Sequence, residues 1–503
     1  MSGWLASLQL TCATIRALQL SAPEAAVAMD TLTLTAYTLR HLTTCHRRIW
    51  LDRHADPLER VEVPTPLADW GNVHEDIISE QCYGPVEPAG VRSWREAVEV
   101  TRKLMASGVD GIRGAALERT ADFPTPITVR GQVDWLRRVR HSFWGTARYA
   151  PVKIKQRQTV TEADQLQLDL YLWLLEGVQG EGVTEGFFLL GTGQQKIHTY
   201  NPDRLVAALT QAVTILEAPQ APPVFLASHC ELCPWQQSCS RAAHETRDIA
   251  LLPGLRRETW VALRDAGLAT WDDLSAQTPK ALERFRGLGP STARTLHAYA
   301  QAFAENAPRW LEALSPAARQ PGLMLDLETR LDDGQPWCFG WLEPEGAFHA
   351  AVVDAYCDPG PLTLPGGTTI TIVPDTDTGW KMVATAAAHS AGPAYHWSGF
   401  ERSVLRATAP AAVTEALDGC LHDLHRTFRQ TCVLPARGTS IKVVAGHLGL
   451  RWPEGSNALT AWSDYQAWLG EGDSSRLARA VAYNRADVEA LALIQTWLVA
   501  HAP

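Results

Sequence analysis

Three cysteines in ten residues constrain this chain more than any other feature. Cys230-x2-Cys233-x5-Cys239 places three thiols in one short loop of a 503-residue chain. Soft thiolates at that spacing bind a metal or a metal cluster, and three of them need a fourth ligand. Cys45 is the best candidate. It sits in Thr44-Cys45-His46-Arg47-Arg48, where neighbouring cations favour a thiolate. Four thiolates suit zinc or an iron–sulfur cluster. The plainer alternative makes Cys45 a small buried apolar residue and leaves the trio to zinc. Ten cysteines in all are too few for a disulfide scaffold, and the clustering points to a reducing, cytoplasmic setting.

Length and charge set the outer bounds. At ~150 residues per domain the chain holds roughly three. Lys and Arg number 45 and Asp and Glu 55, a formal charge of −10, which excludes a purely electrostatic nucleic-acid binder but leaves room for a local basic surface. A hydrophobic content of 46% with 20% charged residues excludes general disorder. No apolar run approaches the ~20 residues of a membrane helix. Residues 1–28 end in Ala26-Val27-Ala28, as a signal peptide would. No positive charge precedes the apolar stretch, however, and Arg16 interrupts it, so Met29 is expected to be the start and 1–28 an extension.

Pattern divides the rest. A helix is expected within 30–60, strands at 125–135 and 148–155, a Leu-rich helix opened by Thr161, strands at 186–191 and 196–200, and a helix at 202–217. This mixed α/β region closes on the cysteine loop. Residues 249–304 change character, with short helices alternating with glycine turns, Pro253-Gly254-Leu255 and Gly287-Leu288-Gly289-Pro290. A third region opens at Pro321. Leu323–Leu327 reads as a buried strand with hairpin neighbours at 337–342 and 347–353. The stretch 358–378 reads as a loop or insertion, and helices are expected at 411–429, 440–448 and 476–499.

One early cysteine and a distant Cys-x2-Cys-x5-Cys resemble the RecB-family nucleases that carry a 4Fe–4S cluster. The resemblance implies Cys45, Cys230, Cys233 and Cys239 as cluster ligands, stapling the two ends of a restriction-endonuclease-like α/β fold. Between them lie segments similar to that family's motifs. His74 stands in Gly71-Asn72-Val73-His74-Glu75, Asp134 ends Gly131-Gln132-Val133-Asp134, and Val152-Lys153-Ile154-Lys155 aligns with the (D/E)-x-K strand. Gln167-x3-Tyr171 matches the Gln-x3-Tyr helix, whose two side chains share a face. Phosphodiester hydrolysis explains the residue types. His74 and Asp134 would hold Mg or Mn, and Lys155 would stabilise the developing charge. Lys153 stands where the family has an acid, which removes a ligand and adds a repelling cation. Either Glu162, Asp164 or Asp169 supplies a migrated carboxylate, or this site is impaired.

Other features favour nucleic acid. Residues 124–160 hold eight Lys or Arg, among them Arg137 and Arg138, with one acid, Asp134; Trp135, Phe143, Trp144 and Tyr149 interleave. Basic plus aromatic is the pattern of a single-strand track, the bland alternative being a solvated strand face. The glycine turns resemble tandem helix-hairpin-helix elements, a small all-α domain in which Gly287 and Gly289 would let the backbone approach a phosphate.

Asp326-Leu327-Glu328 ends the strand of the third region, with two carboxylates pointing the same way, a costly pairing without a cation. Tyr483-x3-Asp487 puts a phenol and a carboxylate on one helix face. With Tyr395-His396-Trp397-Ser398-Gly399-Phe400-Glu401 between, these resemble the tyrosine subtype of DEDD exonucleases, of ribonuclease H-like α/β fold. Glu401 stands where that family usually has Asp. The resemblance implies metal ligands Asp326, Glu328, Glu401 and Asp487, with Tyr483 orienting a water.

The expected whole is an α/β multi-domain chain: 29–245 nuclease domain with cysteines, 246–305 helix-hairpin-helix region, and 320–503 exonuclease domain. The resemblance implies a Mg- or Mn-dependent nuclease acting on DNA single strands, ends or flaps in repair or recombination, with a helicase as partner and no membrane. Two alternatives stand beside it: a DNA-binding iron–sulfur scaffold whose N-terminal site is impaired, and an RNA-processing exonuclease.

Overall fold

A computed structural model describes residues 12–14, 32–63, 86–88, 92–123, 125–139, 147–155, 157–180, 182–390 and 392–503. The chain divides into two compact units, Met1–Cys239 and Ser240–Pro503.

The first unit is built on a mixed sheet. Its strands are β1 (Cys12–Thr14), β2 (Leu32–Thr35), β3 (Val86–Pro88), β4 (Gly111–Asp122), β5 (Pro126–Val139), β6 (Arg148–Lys155), β7 (Glu185–Leu190) and β8 (Gln195–Thr199). They run in the order β3-β1-β4-β5-β6-β7-β8, with β2 parallel to β5. Its α-helices are α1 (Ala36–Leu42), α2 (His46–His54), α3 (Trp94–Ser107), α4 (Glu162–Gln179) and α5 (Pro202–Glu217), and α6 (Gln236–Glu245) spans its end. Thr161 caps α4 as its sequence predicts, in a reciprocal box with Asp164. Leu166, Leu170 and Leu174 of α4 join Leu39 of α1, Leu209 of α5 and Leu117 and Val129 of the sheet in one core. The antiparallel β5–β6 pairing sets Trp135 opposite Val152, and the same register carried one residue further puts Asp134 opposite Lys153.

The second unit opens with α7 (Arg257–Asp265), α8 (Trp271–Ser275), α9 (Pro279–Leu282) and α10 (Pro290–Glu305). Gly254 and Gly287 turn the chain ahead of α7 and α10 with φ of 76° and 88°, a left-handed region that disfavours side chains. A short pair, β9 (Arg309–Trp310) with β17 (Cys432–Val433), follows. The main sheet contains β10 (Leu323–Thr329), β11 (Pro336–Leu342), β12 (Phe348–Val353), β13 (Gly360–Thr363), β14 (Thr369–Val373), β15 (Ala394–His396) and β16 (Leu421–Asp423). Its order is β13-β14-β12-β11-β10-β15-β16, with β10 antiparallel to β11 and parallel to β15. The helices are α11 (Thr376–Ser390), α12 (Phe400–Thr408), α13 (Ala411–Asp418), α14 (Leu424–Thr431), α15 (Ile441–His447), α16 (Ala458–Glu471) and α17 (Ser474–His501).

Alternation along β10 decides where the chemistry goes. Leu323, Leu325 and Leu327 pack with Trp380 and Val383 of α11. Met324, and by the two-residue period Asp326 and Glu328, face the other layer, where α17 packs through Val488, Leu491 and Ile494. Two sequence expectations are corrected. Residues 358–378 are not a loop: β13 and β14 pair there, and β14 runs parallel to β12. Thr369-Ile370-Thr371-Ile372-Val373 is a β-branched run that the flanking glycines and prolines obscured. Residues 411–429 are not one helix: the chain breaks at Gly419, pairs β16 with β15, and restarts as α14.

Candidate active site

In the second unit β10 and α17 bring three acids together. The carboxylate oxygens of Asp326, Glu328 and Asp487 lie within 4.8 Å of one another, the only such His/Cys/Asp/Glu group among the described residues. Burial, then the charges of Asp487, Glu328 and Glu401, holds Asp326 well above the usual carboxylate range. Burial and Asp487 do the same to Glu328. Asp487 is pushed up to about 6 by burial, although Trp452, Lys442 and Tyr483 favour its charge. Buried acids this close disfavour joint ionisation, and a divalent cation removes the conflict. Three hard oxygen donors fit Mg or Mn.

The surroundings fix each carboxylate. Asn484 Nδ2 donates to Asp326 Oδ2 at 2.8 Å and to the Asp326 carbonyl at 3.3 Å. Asp326 lies opposite Gly340 on β11, and a Cβ at Gly340 would sit 1.6 Å from Asn484 Oδ1. Glycine is therefore required at 340 for Asn484 to reach Asp326. Trp452 Nε1 donates to Asp487 Oδ1 at 3.0 Å. The Tyr483 phenol donates to Asp487, and burial with that neighbouring charge keeps it protonated. Lys442 Nζ lies 4.6 Å from the Tyr483 ring centroid and is the cation whose charge reaches both Asp487 and Glu328.

Glu401 stands beside the trio rather than in it. It is buried on α12 and accepts from or shares a proton with His396 Nδ1 at 3.1 Å, while its charge still reaches Asp326, Glu328 and Asp487. Sequence reasoning missed the parts played by Asn484, Gly340 and Trp452. Asn484 carried a signal, since it lies three residues before Asp487 on one helix face; Gly340 and Trp452 carried none.

The corresponding centre of the first unit is arranged differently. Lys153 Nζ lies 2.6 Å from Asp134 Oδ1, and the Ile154 amide donates to Asp134 Oδ2 at 2.9 Å. Lys155 Nζ lies 2.7 Å from Asp164 Oδ1, and Arg157 binds the other oxygen. Burial opposes the Asp164 charge, but Lys155 and Thr161 hold its pKa down at about 2. Burial and the charge of Lys153 lower the pKa of Lys155. Two of the three residues weighed as migrated ligands are otherwise engaged. Asp164 is paired, Asp169 is fully buried against His198 and Arg204, both at 2.7 Å, and Glu162 is exposed. Gln167 donates to the Tyr171 phenol at 2.6 Å, as their spacing predicts. His74 lies outside the described residues.

Among the described residues, much of the basic, aromatic stretch is paired or buried. Arg130 pairs with Glu118 and Arg138 with Asp110, and the lysines are taken as above. Trp135 and Tyr149 are core residues, unable to stack on a base. Arg137 lies 4.2 Å from the Phe187 ring centroid. Arg140, Phe143 and Trp144 lie outside the described residues.

The structure brings the four cysteines near enough to feel one another's charge, although no three of their sulfurs lie within 4.8 Å of one another. Cys45 precedes α2, and its thiol feels Cys230 and Cys233; Cys239, on α6, feels Cys45 and Cys233. Burial raises the pKa of Cys45, and that of Cys239 to about 11, while the Arg47 and Arg48 amides favour a Cys45 thiolate and the Arg47 side chain a Cys239 thiolate. Four soft sulfurs with N–H donors fit a thiolate-held metal centre.

Comparison with known families follows this division. Residues 50–240 match the model of the PD-(D/E)XK nuclease superfamily, and residues 373–499 that of the RNase H superfamily. The chain carries one domain of each. The RNase H superfamily match includes Glu401, Tyr483 and Asp487 but begins after Asp326 and Glu328, which the same sheet supplies. No curated protein matches the chain. A solved structure titled "Crystal structure of SSO0001" aligns at 11% identity over 43% of this chain and 89% of its own, with a TM-score of 0.23, too low to establish a common fold. No helix among the described residues is long and apolar enough to cross a membrane.

Proposed function

We propose that the chain is a metal-dependent nuclease whose hydrolytic chemistry resides in the RNase H-like domain. The convergence of Asp326, Glu328 and Asp487 within 4.8 Å carries this reading. Mg or Mn held by these three, with Glu401 beside them, would supply a hydroxide near neutral pH and neutralise the phosphate. Asn484 sets the Asp326 carboxylate, Trp452 sets Asp487, and the protonated Tyr483 phenol orients a water. Lys442 contributes positive charge beside the scissile phosphate. The substrate is DNA in single strands, ends or flaps, the mode exonucleolytic, and the setting repair or recombination in the cytoplasm, with a helicase as partner. An RNA-processing exonuclease uses the same residues and is separated by substrate choice.

The PD-(D/E)XK domain is read as a catalytically silent RecB-type module. Lys153 and Lys155 occupy the carboxylates that would otherwise face a metal, which supports the scaffold reading for this half. Its four cysteines are assigned to a 4Fe–4S cluster rather than zinc, on the split spacing of Cys45 from the other three. The helices of 249–305 are assigned as helix-hairpin-helix elements, with Gly287 and Gly289 against a phosphate.

Cleavage of labelled single-stranded, duplex and flap substrates with Mg and Mn tests the division. Asp326→Ala is expected to cost on the order of 10²-fold or more in rate, and Asp134→Ala little. The reverse pattern would place the chemistry in the first unit. If the wild-type protein cuts nothing, the scaffold reading applies to the whole chain.

A further inference from the structure

A second feature of the Ser240–Pro503 unit lies outside the carboxylate trio. A cavity of about 900 Å³ separates the glycine-turn helices from α14 of the sheet domain. One wall carries Gly254, Arg256, Gly287 and Thr292, and the other carries Arg426 and Arg429. All three arginines are exposed, and none of their guanidiniums has an acidic partner among the described residues. Asp423 is the one acid in the lining, and its Oδ1 is taken by the Arg426 amide at 2.8 Å. The groove therefore has a net positive charge, whereas Arg264, Arg402 and Arg479 of the same unit are tied to aspartates.

The hairpin wall adds amides. Helix α10 begins at Pro290 after Gly289, and no side chain caps its first turn, so the Ser291 and Thr292 amides are left for an external acceptor. Thr259 Oγ1 donates to the Arg286 carbonyl at 2.9 Å, and a Cβ on Gly287 would approach the same oxygen at 2.8 Å, so the two hairpins are fixed against each other. The opposite wall leads to the reaction centre. β15 and β16 run parallel and pair His396 with Asp423, and His396 holds Glu401, whose charge reaches the trio. The groove thus opens beyond the carboxyl ends of parallel strands, where α/β sheets commonly seat ligands.

We propose that this groove clamps the phosphate backbone of a single-stranded polynucleotide between the glycine hairpins and the Arg426/Arg429 face of α14, and leads it to the Asp326/Glu328/Asp487 centre. The inference rests on the nuclease reading and adds to it the opposing jaw, which no glycine-turn motif contains. Two exposed arginines one turn apart would each neutralise a phosphate. DNA and RNA present the same phosphates, so the groove by itself does not choose between them.

The test uses full-length protein and two probes, fluorescein-labelled dT20 and rU20, with anisotropy measured over a range of KCl in Ca²⁺ or EDTA. Arg426→Ala/Arg429→Ala is expected to weaken binding at least tenfold and to lower the slope of log K against log[salt] by about 1.4, near 0.7 per single-strand phosphate contact. Thr292→Glu is the second variant. A first-turn acid favours the helix, so thermal stability should hold or rise while binding falls. Arg476→Ala, whose guanidinium is committed to Asp464, should change neither affinity nor slope. Wild-type-like affinity and slope in the arginine double variant and in Thr292→Glu would overturn the groove while leaving the nuclease reading intact. Failure of the wild-type protein to bind or cut either probe would overturn both. Equal losses on dT20 and rU20 assign the groove to the shared backbone; a loss on one alone assigns it to that nucleic acid.

Discussion

Adding one methyl group at Gly340, on the strand beside Asp326, should disable the carboxylate centre. Its Cβ would lie 1.6 Å from Asn484 Oδ1 and 2.7 Å from Asn484 Cγ. Ordinary contact needs about 3.5 Å, so the amide must retreat by roughly 2 Å. Asn484 is fully buried on α17, and that retreat breaks its 2.8 Å bond to Asp326 Oδ2 and its 3.3 Å bond to the Asp326 carbonyl. Loss of a bond to a charged group costs about 1.5–3 kcal/mol and of the neutral one about 1. Overpacking adds about 1–3 kcal/mol. A ligand displaced by about 1 Å loses on the order of 10²-fold in rate. Gly340→Ala should therefore weaken Mn²⁺ binding, read by calorimetry, at least tenfold, and slow Mn-dependent cleavage about a hundredfold. Gly340→Ala/Asn484→Gly removes the clash and should recover stability without recovering Mn²⁺ affinity. If Gly340→Ala binds Mn²⁺ as the wild type does, Asn484 is not what positions Asp326.

Lys153→Met leaves Asp134 buried with the Ile154 amide alone and should destabilise the first unit by about 3–5 kcal/mol. Asp134→Ala/Lys153→Met should cost clearly less than the two single changes together in hydrogen exchange of peptides spanning 126–155, and simple additivity would refute the pairing. Without metal, Asp326, Glu328 and Asp487 bind protons more tightly folded than unfolded; the contribution of Asp487 to stability is full below about pH 4 and is lost as pH rises through about 6, and those of Asp326 and Glu328 are lost as pH rises in the same direction. The melting temperature of the second unit in EDTA should fall across that window. Mn²⁺ binding near pH 6 should release protons, seen in buffers of differing ionisation enthalpy, and no release would exclude this charge state. Anaerobically purified protein should be brown, and Cys233→Ser should lose both colour and thermal stability; stoichiometric zinc without iron or sulfide is the contrary result.

What could be read from residues alone was whatever local spacing encodes. The i, i+2 carboxylates of β10, the Tyr-x3-Asp face of α17 and the Gln167–Tyr171 pair all depend on periodicity, and the structure brings the residues of each together. Partnerships set by register across strands were not legible. Lys153 was seen as a cation near Asp134, but its 2.6 Å contact needed the β5–β6 pairing. Gly340 looked like any strand glycine until β11 placed it opposite Asp326. The basic stretch of 124–160 misled because composition cannot tell a cation facing water from one paired with Glu118, Asp110 or Asp164. The strands β13 and β14 were lost among prolines and glycines that only the sheet overrides.

The two lysines of the first unit have a consequence for how its carboxylates respond to metal. A metal ion reaches its carboxylates from solution, so its occupancy depends on concentration, on chelators and on competing ions. Lys153 and Lys155 are counter-ions joined to the chain by covalent bonds, and they cannot be diluted away. The Asp134 and Asp164 carboxylates are therefore indifferent to the supply of divalent cations, while the open trio of the second unit is answerable to it. Restoring a carboxylate at 153 would return that dependence in a single step, because the attraction that now closes the site would become a repulsion only a captured cation can quiet.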